Sequence, residues 1–113
     1  MQEIVIVGGG AAGMMAAARL QEKDARIHLF ERNEKLGKKL FITGKGRCNL
    51  TNACELPELM NAIVSNKKFM YSSLQAFDNH AVMDYFEQDL GLRLKMERGN
   101  RVFPASDHSS DVL

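Results

Sequence analysis

The sequence predicts an α/β fold, and three observations carry that expectation. A short apolar run, Ile4-Val5-Ile6-Val7, ends abruptly in glycine; a stretch of strong helix formers follows; and a second apolar run, Arg26 to Phe30, comes after it. Strand, helix and strand within roughly thirty residues is the signature of a βαβ unit. Parallel strands of this kind read as continuous apolar runs because they are ordinarily covered on both faces.

Length and composition bound what else the chain can be. Its 113 residues have room for one small domain with one core, so residues 1–113 are read as a single domain. Apolar residues make up 45% and charged residues 26%, an ordinary globular balance that argues against disorder. The net charge of +1 gives no global field to recruit nucleic acid or an anionic membrane, so any basic patch must be local. No apolar run approaches the ~18 residues of a membrane span. Met1-Gln2-Glu3 lacks the basic start of a signal peptide. Cys48 and Cys54 are the only cysteines, too few for a secreted disulfide scaffold. The expectation is a cytoplasmic protein with no membrane partner.

Each part of the opening unit has a mechanical reason. Gly8-Gly9-Gly10-Ala11-Ala12-Gly13 places G-x-G-x-x-G directly after the first strand, and Met14 to Gln21 continues as a helix. Gly8 lets the chain turn sharply out of the strand. Gly10 lets backbone N–H groups approach a pyrophosphate with no Cβ in the way, and Gly13 lets the helix pack closely on the strand. The helix N-terminus offers partial positive charge to the phosphates. Glu31, at the end of the second strand and about twenty residues on, is placed to accept hydrogen bonds from the adenosine ribose. The unit is therefore read as a Rossmann-like holder of the ADP half of a dinucleotide. An acid at position 31 would repel a 2′-phosphate, which favours FAD or NAD over NADP. Arg32 beside it is counted with the cofactor-contacting residues, a solvated cation being the blander reading.

The segment 35–52 is the second informative stretch. Gly44 and Gly46 alternate with Lys45 and Arg47, Lys35, Lys38 and Lys39 add local charge, and Cys48, Asn49 and other small polar residues follow. Such a loop can offer backbone N–H groups and cations to a phosphate or a polyol chain. As nucleic-acid contacts the lysines lack aromatic stacking partners apart from Phe41, so no nucleic-acid partner is expected. Lys39 and residues 44–49 are read instead as a second cofactor-contacting region.

The remainder reads as a helical excursion and a hairpin. Pro57 suits the first turn of a helix reaching Val64, Lys67 to Phe77 reads as a second helix, and Asp78 or Asn79 can cap a third, from His80 to Leu90, closed by Gly91. Its Val82, Met83, Phe86 and Leu90 recur at helical spacing and are assigned to the core, as are most of the seven methionines. His80 is read as exposed or capping. Leu92 to Met96 alternates as a half-buried strand, Arg98-Gly99-Asn100 turns, and Arg101 to Phe103 returns antiparallel until Pro104 stops it. Ser106 or Asp107 looks like the cap of a last helix running into Asp111, Val112 and Leu113. The three histidines lack metal-ligand spacing, so no metal is expected.

Taken together, Gly8 to Gly13, Glu31-Arg32, Gly37-Lys38-Lys39, Thr43 to Asn52, Gly99 to Pro104 and Ser106 resemble a bacterial family of FAD-dependent oxidoreductases. That family includes aminoacetone oxidase and a flavoprotein of bile-acid metabolism. The resemblance runs over nearly the whole chain, and the block from Gly44 to Asn52 carries most of its specificity. It implies that Gly8 to Gly13 and Glu31 hold the ADP moiety of FAD. It also implies that residues 44–49 lie near the pyrophosphate, ribityl or flavin region, and that NAD(P)H is the candidate electron donor of full-length members. Those members are several times longer, so the chain is expected to be an incomplete FAD/NAD(P)-binding domain with an uncovered sheet edge and apolar helix faces. It would then dimerise, associate with a missing C-terminal portion, or act as a dinucleotide-binding module without activity of its own. Cys48 and Cys54 are reminiscent of the redox pair of disulfide-reducing flavoenzymes. Their spacing is one residue longer, which favours two reduced thiols. No residue presents itself as a catalytic acid, base or nucleophile.

Overall fold

The computed structural model describes residues 1–113 and is α/β, with two small sheets. Strands β1 (Gln2–Val7) and β2 (Ala25–Phe30) pair in parallel, with Gln2 opposite Ala25 and Val7 opposite Phe30. Helix α1 (Ala11–Leu20) connects them. Ile4 and Ile6 are half-buried, whereas Val5 and Val7 point the other way and stand 60% and 85% exposed. Strand alternation accounts for the split, since successive side chains fall on opposite faces.

The segment read as a loop contains regular structure. Gly37, in the left-handed region at φ 67°, starts a five-residue helix α2 (Lys38–Ile42), and a tight turn over Thr43–Gly46 follows. Thr51–Asn52 forms a two-residue strand, β3. Helices α3 (Leu56–Ala62) and α4 (Lys67–Ala76) come next, with Pro57 in the first turn of α3 as its fixed φ favours. Helix α5 (Asn79–Asp84) is capped by Asp78, whose carboxylate accepts from the Ala81 N–H at 2.8 Å. It widens over Tyr85–Asp89 into a π turn, where the Leu90 N–H donates to the Tyr85 carbonyl at 3.0 Å. Strands β4 (Leu94–Glu97) and β5 (Arg101–Pro104) form the expected hairpin, and β3 pairs antiparallel to the other edge of β5. A short helix α6 (Ser109–Val112) ends the chain.

The core lies beyond the βαβ unit. Its buried apolar side chains are Cys48, Tyr85, Phe86, Val102 and Phe103, while α1 and β1 bury none completely. Arg19 on α1 joins the two halves by lying over the rings of Phe77 and Tyr85, 4.9 and 5.1 Å from their centroids.

Several expectations are corrected here. Leu90 is half exposed because the π turn rotates it off the helical stripe that buries Tyr85 and Phe86. No methionine is fully buried, and Met70 and Met96 are exposed. The last strand but one begins at Leu94, two residues later than its alternation suggested, and Met96 faces out while Lys95 and Glu97 turn inward to an ion-pair cluster. His80 is half-buried, with Nε2 3.1 Å from the Cys54 carbonyl oxygen. The residue preceding α6 is His108, whose N–H donates to Ser106 Oγ at 3.2 Å, and Asp107 is spent elsewhere.

Candidate dinucleotide site

The ends of β1 and β2 lie side by side, so the glycine turn and Glu31 face one another. Gly8 leaves the strand at φ 104° while its N–H still donates to the Phe30 carbonyl at 2.7 Å. Gly10 then precedes α1, and the first intrahelical bond is from the Met14 N–H to the Gly10 carbonyl at 2.9 Å. The N–H groups ahead of Met14 therefore have no partner in the helix and open on solvent, as at any helix N-terminus. A Cβ at Gly10 would meet nothing within 4 Å. One at Gly13 would run into the Gly8 carbonyl oxygen, so its role is the close packing of helix on strand.

Across the turn, both oxygens of Glu31 are engaged. The Gly9 N–H donates to Oε1 and the Asn33 N–H to Oε2, each at 2.8 Å. These two amides, Asn33 foremost, hold the carboxyl below its ordinary range, and Glu31 is ionised at neutral pH. Each carboxylate oxygen retains a lone pair for a further donor. The Gly37 N–H donates to the Gly9 carbonyl at 2.8 Å, which pins the start of α2 against the glycine turn and brings Lys38 and Lys39 to the same place.

The result is an open cleft of about 360 Å³. Of the residues expected from the sequence, Gly8, Gly9, Gly10, Glu31, Arg32 and Lys39 line it. Ala11, Ala12 and Gly13 form the first turn of the helix that opens on it. Asn33, Gly37 and Lys38 also line it and were not singled out as site residues; the glycine directly before Lys38-Lys39 was the available signal.

Residues 44–49 do not line this cleft. They form a separate strained turn in which Gly44, Lys45, Gly46 and Cys48 all have positive φ. Arg47 is not free: its guanidinium is bound by Glu97 and by Asp107 at 2.8 Å, and lies 4.0 Å from the centroid of the Phe103 ring. Lys95 completes the cluster, 2.6 Å from Asp107 and 3.3 Å from Glu97. Cys48 is wholly buried, and that burial pushes its thiol up; it and the half-buried Cys54 are free thiols. Asn49 Nδ2 donates to the carbonyls of Thr51 and Val102 at 2.9 and 3.1 Å.

Strand, glycine turn, helix and a second strand ending in an acid define a Rossmann-like dinucleotide-binding domain. Residues 2–113 match the model of the HI0933-like protein Rossmann domain, and the chain belongs to that family. It is similar to the 3-dehydro-bile acid delta(4,6)-reductase of Clostridium scindens, 38% identical over 118 aligned positions that take in 100% of this chain and 27% of the relative. It is also similar to the ribosomal RNA dihydrouridine synthases of Haemophilus influenzae and Escherichia coli, at 31% and 33% identity. Those matches cover 79% and 73% of this chain and 24% and 20% of the relatives. The chain thus spans about a quarter of the length of the curated relatives it matches. No helix in it is long and apolar enough to cross a membrane.

Proposed function

We propose that this chain is the FAD-binding N-terminal portion of a flavin-dependent oxidoreductase, and that its glycine cleft holds the ADP and pyrophosphate half of FAD. The observation that carries the reading is the empty space in front of Gly10, bounded by unpaired first-turn amides on one side and the ionised Glu31 on the other. The amides would take the pyrophosphate oxygens, with Lys39 and Arg32 adding charge at the rim, and Glu31 would accept from the ribose hydroxyls. An anion at that position disfavours a 2′-phosphate, which sets FAD apart from NADP as the resident group.

For the whole protein, the names of the relatives point to one kind of chemistry. A delta(4,6)-reductase removes carbon–carbon double bonds, and a dihydrouridine is a uridine whose ring double bond is saturated. We extend that class to this protein: reduction of a carbon–carbon double bond conjugated to a carbonyl group. FAD, when bound, would supply the redox chemistry, and this chain's glycine turn and Glu31 would bind and orient it.

Titration of the purified chain with ADP and with FAD tests the cofactor reading. The expected result is saturable binding of both, with a flavin absorption band retained on the protein after desalting. Gly10→Val should abolish both, because its side chain would occupy the place of the pyrophosphate. Undiminished binding by that variant would refute the assignment. Binding of ADP without FAD would leave a dinucleotide-binding module with no activity of its own.

A further inference from the structure

Helix α1 has two inner sides. One lies on the strands, with Gly13 against the Gly8 carbonyl. The other faces the core across a gap of about 370 Å³ that shares no lining residue with the glycine cleft. Met14, Met15 and Ala18 form one wall, and Val82, Tyr85 and Phe86, on α5 and its π turn, form the other. The rest of the lining is apolar as well, so the gap holds no charged or amide side chain. Both ends are tied. Near the C-terminus of α1 the Arg19 guanidinium lies over the rings of Phe77 and Tyr85. Near its N-terminus the side chains of Met14 and Leu113 converge on Gly37, where an added Cβ would strike both.

We infer that this gap is a binding cavity for one neutral apolar molecule of two or three rings, held between helix α1 and the core. The lining decides the chemistry. Water needs two to four polar partners to stay in a cavity, and an engineered apolar cavity of about 150 Å³ stays dry and admits benzene. A space of about 370 Å³ takes a molecule roughly twice that size. An ionised group there would give up its hydration with nothing in return. Met14 and Met15 are unbranched and polarisable and can follow the outline of different rings, while Tyr85 and Phe86 offer aromatic surface to pack on. The tied ends exclude a larger occupant. A partner helix is about 10 Å across with its side chains, and seating one would lift α1 from the core and break the Arg19 contact. The site stands whether or not the glycine cleft holds FAD.

The test uses a matched pair of fluorescent probes. N-phenyl-1-naphthylamine is neutral, and 8-anilinonaphthalene-1-sulfonate is the same framework with a sulfonate added. The chain has no tryptophan to interfere. The neutral probe should bind saturably, one per chain, and the sulfonate at least about tenfold more weakly. Ala18→Leu fills the gap from α1 and Val82→Phe fills it from α5, and each should weaken the neutral probe at least about tenfold. Val64→Ser, at an apolar side chain that stands open to solvent outside the gap, should leave it unchanged. An unaltered circular-dichroism spectrum shows that a variant is folded; should one filler fail to fold, the other and the probe pair on the wild-type chain carry the comparison. Equal binding of the two probes, no saturable binding, affinity that survives the fillers, or affinity lost in Val64→Ser overturns the inference.

Discussion

A side chain at Gly10 has room, whereas one at Gly13 has none, and the two glycines should therefore fail in different ways. Gly10 has an extended backbone, φ −79° and ψ −167°, that any residue can adopt, so Gly10→Val should melt like wild type while losing ligand. Gly13→Ala forces the helix away from the Gly8 carbonyl and should cost about 1–3 kcal/mol of stability, read by chemical denaturation. Equal melting of the two variants would contradict this division of roles. At Glu31 the expected change is in affinity. With the charged acceptor of the ribose hydroxyls removed, Glu31→Ala should weaken ADP by about ten- to a hundredfold. The wild-type chain should bind ADP at least tenfold more tightly than adenosine 2′,5′-bisphosphate, and Glu31→Ala should narrow that gap. A gap left intact would place the adenosine ribose elsewhere.

The hairpin of β4 and β5 was legible from its alternation and its Arg98-Gly99-Asn100 turn, but which face turned inward was not. Lys95 and Glu97 point toward Arg47 and Asp107 and are half-buried, as Leu94 is, while Met96 stands exposed. Strand β3 and helix α2 escaped notice because two and five residues are too short to establish a period. The cluster gives the element a definite pH response. Lys95 and then Arg47 hold the Asp107 carboxyl below its ordinary range, and Arg47 does the same for Glu97. Asp107 in turn raises Lys95. A carboxylate lowered in the folded state stabilises fully above its unfolded value, about 4, and loses that contribution as pH falls through the lower folded value. A raised lysine stabilises fully below about 10.4 and loses its contribution above that. The cluster's contribution to stability should thus be flat from about pH 5 to 9 and fall on both sides, with an acid limb that is shallower in Asp107→Asn. Identical acid limbs would mean that the cluster contributes nothing. The cap is a simpler case: Asp78→Ala should cost about 1 kcal/mol by freeing the Ala81 N–H.

At the scale of the molecule, the cofactor half and the core half are different regions. The buried apolar side chains belong to Cys48, α5 with its π turn, and β5, while Val5, Val7 and Phe30 on the parallel sheet stand open. Parallel sheets are ordinarily covered on both faces, and here α1 covers one. Hydrogen exchange on the free chain should therefore protect Val102 and Phe103 longest and release α1 and β1 early. Saturating ADP should slow exchange at Gly9 to Met14 more than at β5. Uniform protection in the free chain would show one cooperative unit, against this division.

The sequence by itself determined the βαβ unit, the glycine turn, the acid that closes the cleft and the hairpin. Each of these is written in neighbouring residues, through apolar periodicity or the need for an absent Cβ. Only the tertiary structure decided that Arg47 is clamped, that Cys48 is buried, that the 44–49 turn stands apart from the cleft and that the core lies beyond the βαβ unit. Arg47 and Asp107 are 60 residues apart, and no local pattern says which acid meets which cation. Side chains that distant are brought together by the packing of the whole chain, and that packing set Arg47 between two carboxylates.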